Sequence, residues 1–261
     1  MNQNFKLIIA SSFFFIHVIA NSNDPMNSSY LLNALAQLEQ GQNIIFTKYG
    51  DGEYNCMIGI KGENCDFDKY HAWLGAALKK ALISLSKKNN TYIGRWWHPS
   101  VPNFCNKLAA QHNTTIPWAW YHLFMNDDEF LQFDYMYKFV RFIVKTDRKK
   151  ILLCNGSNSR LKDFFKADVY IELPSQNWSF QYNQWKNTLE PHLEQNAIVL
   201  IGGGLCSKVL IDDITNNYNL TCIDIGSSFD LLGRKKNTRG WKHTYEDEIR
   251  YYKDFIPSSW L

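Results

Sequence analysis

Net charge is nearly absent from this chain, since 28 Lys and Arg against 25 Asp and Glu leave only +3. Nucleic-acid binding normally needs a concentrated basic stripe, and none is present. Proline and glycine are sparse, at 7 and 14 of 261 residues, and follow no period, which excludes collagen-like and Pro-rich spacer architectures. No Cys-x-x-Cys or Cys/His spacing of a zinc site occurs. A Gly-x-Gly-x-x-Gly fingerprint, a Walker Lys-Ser/Thr pair and a serine nucleophile elbow are also missing. After Ala20 no apolar run approaches the ~20 residues of a membrane helix. What is present is 45% hydrophobic and 15% aromatic residues, which excludes disorder over most of the length. The length suits one large globular domain.

The only long apolar run stands at the start. Met1–Lys6 is polar with one cation, and Leu7–Ala20 reads LIIASSFFFIHVIA. That run has the length of a signal-peptide core and is short for a bilayer span. Residues 1–20 are therefore expected to be a signal peptide or a short anchor. The chain would then enter the secretory pathway, to the ER or Golgi lumen or outside the cell, and touch membrane only through that segment if it stays uncleaved. Asn-x-Ser/Thr sequons at Asn27, Asn89, Asn113, Asn155, Asn177 and Asn219 fit a lumenal glycoprotein. The six cysteines form an even count compatible with the same route, and Cys56 and Cys65 around a glycine-containing loop are the best disulfide pair.

Hydrophobic periodicity assigns the elements. Leu31, Leu32, Leu35 and Leu38 form the stripe of a helix capped by Ser28 or Ser29 and stopped by Gly41. Ile44–Phe46 reads as a buried strand that runs into a Gly-Asp-Gly turn. Helices are expected over Asp68–Lys88 and Asp127–Lys145, and a strand over Thr91–Trp97; the Pro- and Trp-rich stretch 99–121 yields no assignment. The second half is more regular. KKILLCNGS, ADVYIELP, AIVLIGGG and LTCIDIG read as strands, with helices over Ser157–Phe165, Phe180–Leu193 and Leu205–Thr215 between them. That alternation is the pattern of parallel βαβ units, and apolar strands without alternation imply helices on both faces. The expected fold is α/β: a single Rossmann-like domain with a mostly parallel sheet flanked by helices, over 28–233, followed by a C-terminal extension, 234–261.

Open sheets of this kind bind ligands outside the carboxyl ends of their strands. Four polar loops fall there: Tyr49–Glu53, Cys154–Ser157, Gly202–Gly204 and Gly226–Ser228. In the first, Asp51 and Glu53 are two apart, so an extended backbone would aim both carboxylates the same way. Such a pair suits Mn2+ or Mg2+, ions that keep a substrate diphosphate as a further ligand. Gly50 and Gly52 permit close backbone approach. Gly202, Gly203 and Gly204 open a helix whose free N–H groups suit a phosphate. Asn155, Ser157 and Arg160 suit an anion at another helix start, and Asp224 near a strand end suits a ribose. Each also has a plainer role: an exposed turn, tight strand–helix packing, or capping by Ser157. The aromatic excess lies between Tyr92 and Phe142, where Arg95-Trp96-Trp97-His98 suits either a sugar-lining wall or an aromatic core.

In order along the chain, TKYGDGE, ILLCNGSNSRL, IVLIGGGLCSKVLIDDI and CIDIGSSFD resemble the GT-D-type glycosyltransferases. Those are single-domain Rossmann-like enzymes with a DxE motif inside an R-[FY]-G-D-G-E string. A Gly-x-x-Ser-Arg-like segment follows, then a G-P-x-x-K-V-L-like loop before D-I-G. The resemblance runs from about Ile44 to Asp230. It implies metal-assisted transfer of a sugar from a nucleotide-diphosphate donor to a glycan or glycoprotein acceptor, with Asp51 and Glu53 as the DxE pair. Lys48 stands in place of the family's Arg, keeping the charge without the bidentate fork; with it, the glycine loop and the 155–160 segment would bind the donor. Gly203 replaces a Pro, and Ser227 a frequent His. Two other readings stay open. One is a Rossmann methyltransferase built on IGGG and Asp224, although that class places its glycine loop after the first strand. The other is a non-catalytic secreted carbohydrate-binding protein, suggested by the tryptophan content.

Overall fold

Residues that form continuous apolar runs become the middle of one sheet. In the computed structural model, the structure describes residues 29–124, 133–236 and 243–260, and the expected signal segment lies outside them. Helix α1 (Ser29–Glu39) leads into β1 (Ile45–Tyr49), α2 (Asp51–Met57), α3 (Ala72–Leu85) and β2 (Thr91–Arg95). Then come α4 (Ser100–Gln111), β3 (Trp118–Trp120), α5 (Phe133–Lys145), β4 (Lys150–Asn155) and α6 (Leu161–Phe164). The chain continues through β5 (Val169–Leu173), α7 (Tyr182–Leu189), β6 (Ile198–Gly202) and α8 (Ser207–Asn217). It closes with β7 (Thr221–Asp224), α9 (Asp230–Arg234) and α10 (Tyr245–Tyr251).

Among the described residues seven strands pair in parallel, in the order β3-β2-β1-β7-β6-β4-β5. Because successive side chains leave a strand on opposite faces, each strand feeds two cores. Ile151, Leu153, Val199 and Ile201 pack with Leu74, Leu78 and Leu82 of α3 and Leu210 and Ile214 of α8. Leu152, Ile198, Leu200 and Ile223 pack on the other face with Leu35 and Leu38 of α1 and Phe139 and Ile143 of α5. This is the three-layer α/β architecture expected of unalternated strands. Residues 243–260 are folded onto the domain, since Tyr252, Phe255 and Ile256 lie in the second core and Tyr252 meets Phe164 edge-on at 5.6 Å.

Several boundaries differ from the sequence reading. The Gly-Asp-Gly turn is instead the start of helix α2. Leu32 faces solvent, whereas Ala34, Leu35 and Leu38 are buried; the side chain of Leu31 lies outside those described. The helix expected from Asp68 begins only at Ala72, where the His71 ring accepts the Leu74 N–H at 3.4 Å as a cap. The unassigned stretch 99–121 contains α4 and the edge strand β3. Ser157–Phe165 divides into a 3-10 turn and the four-residue α6, and α7 stops at Leu189, where Pro191 follows in a second 3-10 turn. Residues 127–132 of an expected helix lie outside those described. All six cysteines are thiols: Cys56 is buried on α2 and Cys65 is exposed on the loop beyond, so the expected pair is not bonded. No helix among the described residues is long and apolar enough to cross a membrane.

Helices α2 and α3 meet at Gly75, where an added Cβ would stand 2.4 Å from the Cys56 carbonyl oxygen. Gly75→Ala must therefore push two backbones apart, and urea unfolding should show a loss of about 1–3 kcal/mol. A second expectation concerns the α3 cap. Burial holds His71 below its ordinary value. A histidine depressed by folding contributes stability that is present above its unfolded value of about 6.5 and lost as pH falls through the folded one. Melting curves from pH 7.5 to 5 should thus fall more steeply for the native chain than for His71→Asn, which caps at either pH. The ring is only partly buried, so solvent screening should keep the difference below about 1 kcal/mol.

Candidate functional site

Strands β1, β7, β6 and β4 are consecutive neighbours in the sheet. The four polar loops singled out in the sequence follow those four strands, so they sit side by side at one sheet edge. They enclose a cleft made of two cavities of about 360 and 320 Å3, each within the roughly 300–1,000 Å3 range of small-molecule sites. The first is lined by Lys48, Asp51, Gly52, Glu53, Trp96, Tyr121, His122, Lys208 and Asp224, among others. The second is lined by Asn155, Ser157, Asn158, Trp178, Gly202, Gly203, Asp230 and Arg234, among others. Cys65, Asp66, Gly204, Gly226 and Ser227 line both and form the waist between them.

The helical backbone of α2 corrects the expected carboxylate pair. Positions two apart on a helix diverge by about 200°, so Asp51 and Glu53 do not project together as they would from a strand. Asp51 is exposed at the first helical position, whereas Glu53 is buried. Glu53 folds back so that Oε2 accepts the Gly50 N–H at 2.8 Å, the reciprocal half of a capping box. Its Oε1 lies 2.9 Å from Lys208 Nζ.

Lys208 is the residue that the sequence reading missed. Its ammonium is buried and has three protons to donate. They meet Glu53 Oε1 at 2.9 Å, Asp224 Oδ2 at 2.9 Å and the Gly204 carbonyl at 3.0 Å. Those acceptors belong to the segments after β1, at the end of β7 and after β6. Burial works to lower the Lys208 pKa, but the carboxylates of Asp224 and Glu53 outweigh it and hold the ammonium above the ordinary lysine value. Lys208 therefore stays charged throughout the physiological range. A signal for it was present: a lysine in the first turn of α8 opposes the helix dipole, which points to a compensating partner.

Around this centre the backbone is tightly constrained. Gly204 has φ +61 and an added Cβ there would meet Asp68 Oδ2 at 2.5 Å; Gly226 has φ +49 and would meet Lys48 Nζ at 2.6 Å. Asp68 belongs to the loop that crosses the waist, and burial pushes its carboxyl up. That loop is clamped reciprocally: Asp68 Oδ1 accepts the Asn177 N–H at 2.7 Å, and Asn177 Oδ1 accepts the Lys69 N–H at 2.8 Å. Asp224 lines the cleft, but Oδ2 faces Lys208 and Oδ1 accepts the Gly226 N–H at 3.1 Å. Arg160 is not a cleft residue. Its guanidinium lies over the Trp260 ring at 3.9 Å and contacts the Tyr245 hydroxyl, while Arg234 lines the second cavity in its stead.

No family model matches the chain, and no curated protein aligns with it significantly. Two solved structures do match, each over 87% of this chain and 88% of its own, at 18% identity and a TM-score of 0.56. One is a selenomethionine-substituted structure of domain of unknown function 1792. The other is described as showing that this highly conserved domain has a distinct glycosyltransferase fold. The present chain has that fold.

Within the glycosyltransferase fold, the donor set of the cleft bears on a metal. No three His, Cys, Asp or Glu side chains among the described residues group as a metal site. Mg2+ and Mn2+ accept one or two carboxylates together with substrate phosphate oxygens, and the exposed Asp51 meets that need. Glu53 has given one bond from each oxygen, and a carboxylate has about four lone-pair sites, so it retains capacity for a second. The residues present fit a cation that completes its shell from a diphosphate.

Lys208→Met preserves the apolar stem and removes the charge, leaving Glu53 and Asp224 buried without their shared cation. Urea unfolding should register a loss of about 3–5 kcal/mol. A loss smaller than that of an ordinary surface substitution would show that the ammonium does not hold the three segments together.

Proposed function

We propose that this protein is a metal-dependent glycosyltransferase that moves a sugar from a nucleotide-diphosphate donor to a glycan or glycoprotein acceptor. The observation that carries the reading is the charge of the first cavity, where, among the described residues, the carboxylates of Asp51, Glu53, Glu63, Asp66 and Asp224 are joined by the ammonium groups of Lys48 and Lys208 alone. Five carboxylates against two ammonium groups would repel a diphosphate unless a divalent cation lay between them. Fold likeness to a glycosyltransferase structure supports the same class, as do the ordered motifs in the sequence.

Asp51 would hold Mn2+ or Mg2+, with Glu53 as the second carboxylate. When bound, the cation supplies Lewis-acid compensation of charge on the departing nucleotide. The remaining work falls to the chain. Backbone N–H groups of Gly202, Gly203 and Gly204 and the side chains of Asn155, Ser157 and Arg234 suit the nucleotide in the second cavity. Lys48, held beside Gly226 at the waist, would attract the diphosphate. Lys208 would fix the relative positions of these groups without itself reaching the substrate. The methyltransferase reading loses support, because the glycine loop follows β6 rather than the first strand and Asp224, its ribose partner, is buried against the Lys208 ammonium. The run Leu7–Ala20, read as a signal segment, supports a site of action in the secretory pathway.

Asp51→Asn is the cleanest test, since the side chain is exposed and caps nothing. Its stability should stay within about 0.5 kcal/mol of the native chain, while Mn2+-dependent hydrolysis or transfer from a nucleotide sugar should fall at least about a hundredfold. Full activity in the variant would sink the assignment. Glu53→Gln would be ambiguous, because it also breaks the contact with Lys208.

A further inference from the structure

The two ends of the cleft differ in chemistry. The β6 and β4 end offers glycine backbone, Asn155, Ser157 and Arg234. The end over β1, β2 and β3 instead has an aromatic wall beside carboxylates. Trp96 and Tyr121 line it, with ring centroids 4.7 Å apart and nearly perpendicular. The wall stands directly against the start of α2, because a Cβ on Gly50 would lie 3.0 Å from the Tyr121 hydroxyl and 3.5 Å from Trp96 Cε3. Lys48 Nζ sits over the Tyr121 ring, 5.8 Å from its centre. The next residue, Trp97, does not line the cavity itself, but its ring lies 5.9 Å from that of Trp96, centre to centre, and is 75% exposed.

A tryptophan left so open forgoes the burial that normally governs its placement. The ligand that suits it must offer an apolar face to indole and hydrogen-bond donors to carboxylates, which only accept. A pyranose ring does both, through its C–H face and its hydroxyl groups. A free phosphate does neither, and a nucleotide, although its base could stack there, would bring its diphosphate against acids that admit it only with a bound cation. We infer that the Trp96–Trp97 wall is a pyranose-binding subsite, the place of the acceptor sugar, with Asn55, Glu63 and Asp66 receiving its hydroxyl hydrogens. This rests on the transferase reading for the word acceptor, but the carbohydrate surface stands on the geometry alone. The Arg95-Trp96-Trp97-His98 string thus divides between a packed ring and an open one.

Binding of the purified full chain to a printed array of pyranose glycans, in chelator and without nucleotide sugar, tests the subsite apart from the transfer reaction. The native chain and Trp97→Phe should retain the same glycans, and Trp97→Ala should bind them about tenfold more weakly. Trp97 is on the surface, so the variant should melt as the native chain does. Retention of no glycan, or equal retention by Trp97→Ala, would overturn the inference, as would light scattering that shows a dimer lost in Trp97→Ala. Titration with a nucleotide sugar and Mn2+ reports separately on the transferase reading. A chain that binds glycans through Trp97 but no nucleotide sugar would defeat that reading and leave the carbohydrate surface supported.

Discussion

A single buried ammonium group determines how the cleft is assembled. Lys208 spends its three protons on Glu53, Asp224 and the Gly204 carbonyl, and these lie on segments that the chain lays down far apart in sequence. An isolated buried charge would be intolerable, and so would two buried carboxylates facing each other. Each member is acceptable only because the others are present. The mutual requirement fixes the start of α2 relative to the ends of β6 and β7, and everything that lines the cleft is hung from those three points. Such an arrangement trades some stability for one defined geometry.

The sheet supplies the frame in which this is possible. Side chains alternate into two cores, so the central strands are covered on both faces and only their ends remain for polar chemistry. Polar loops over β1, β7, β6 and β4 then have no choice but to be neighbours. The loop carrying Cys65, Asp66 and Asp68 bridges them and is tied by Asn177 to the far side of the sheet. Aromatic residues accumulate on the β2 and β3 side, where a short edge strand leaves less backbone to cover.

Much of this was legible in the residues, because unalternated apolar runs such as AIVLIGGG state both strand and double coverage. The four loops were legible for the same reason, since they are what interrupts the runs. Helix α2 was not, because two glycines in four residues outweigh the weaker signal of an N3 glutamate, although that glutamate is what starts the helix. Lys208 was hidden by the ordinary expectation that lysine seeks solvent, and its partners are distant in sequence. Arg160 was misplaced by reading a helix start as an anion site; α6 is four residues long, and the guanidinium finds a tryptophan face near the C-terminus instead. Short elements such as β3 carry too few residues to show a period. Pairwise chemistry across long sequence separations, rather than local pattern, is what the sequence reading lacked.

The sheet order also bears on how the chain comes to be folded. Strand β1 lies between β2 and β7, with Ile45 opposite Cys222, and the second core is completed by Tyr252, Phe255 and Ile256. The centre of the molecule is therefore built from the first strand and the last. During synthesis the apolar edge of β1 waits for a partner that emerges nearly at the end, and pairing of that kind is slow and exposes strand edges in the meantime. The sheet can therefore close at its centre only after β7 has been made, about 170 residues behind β1.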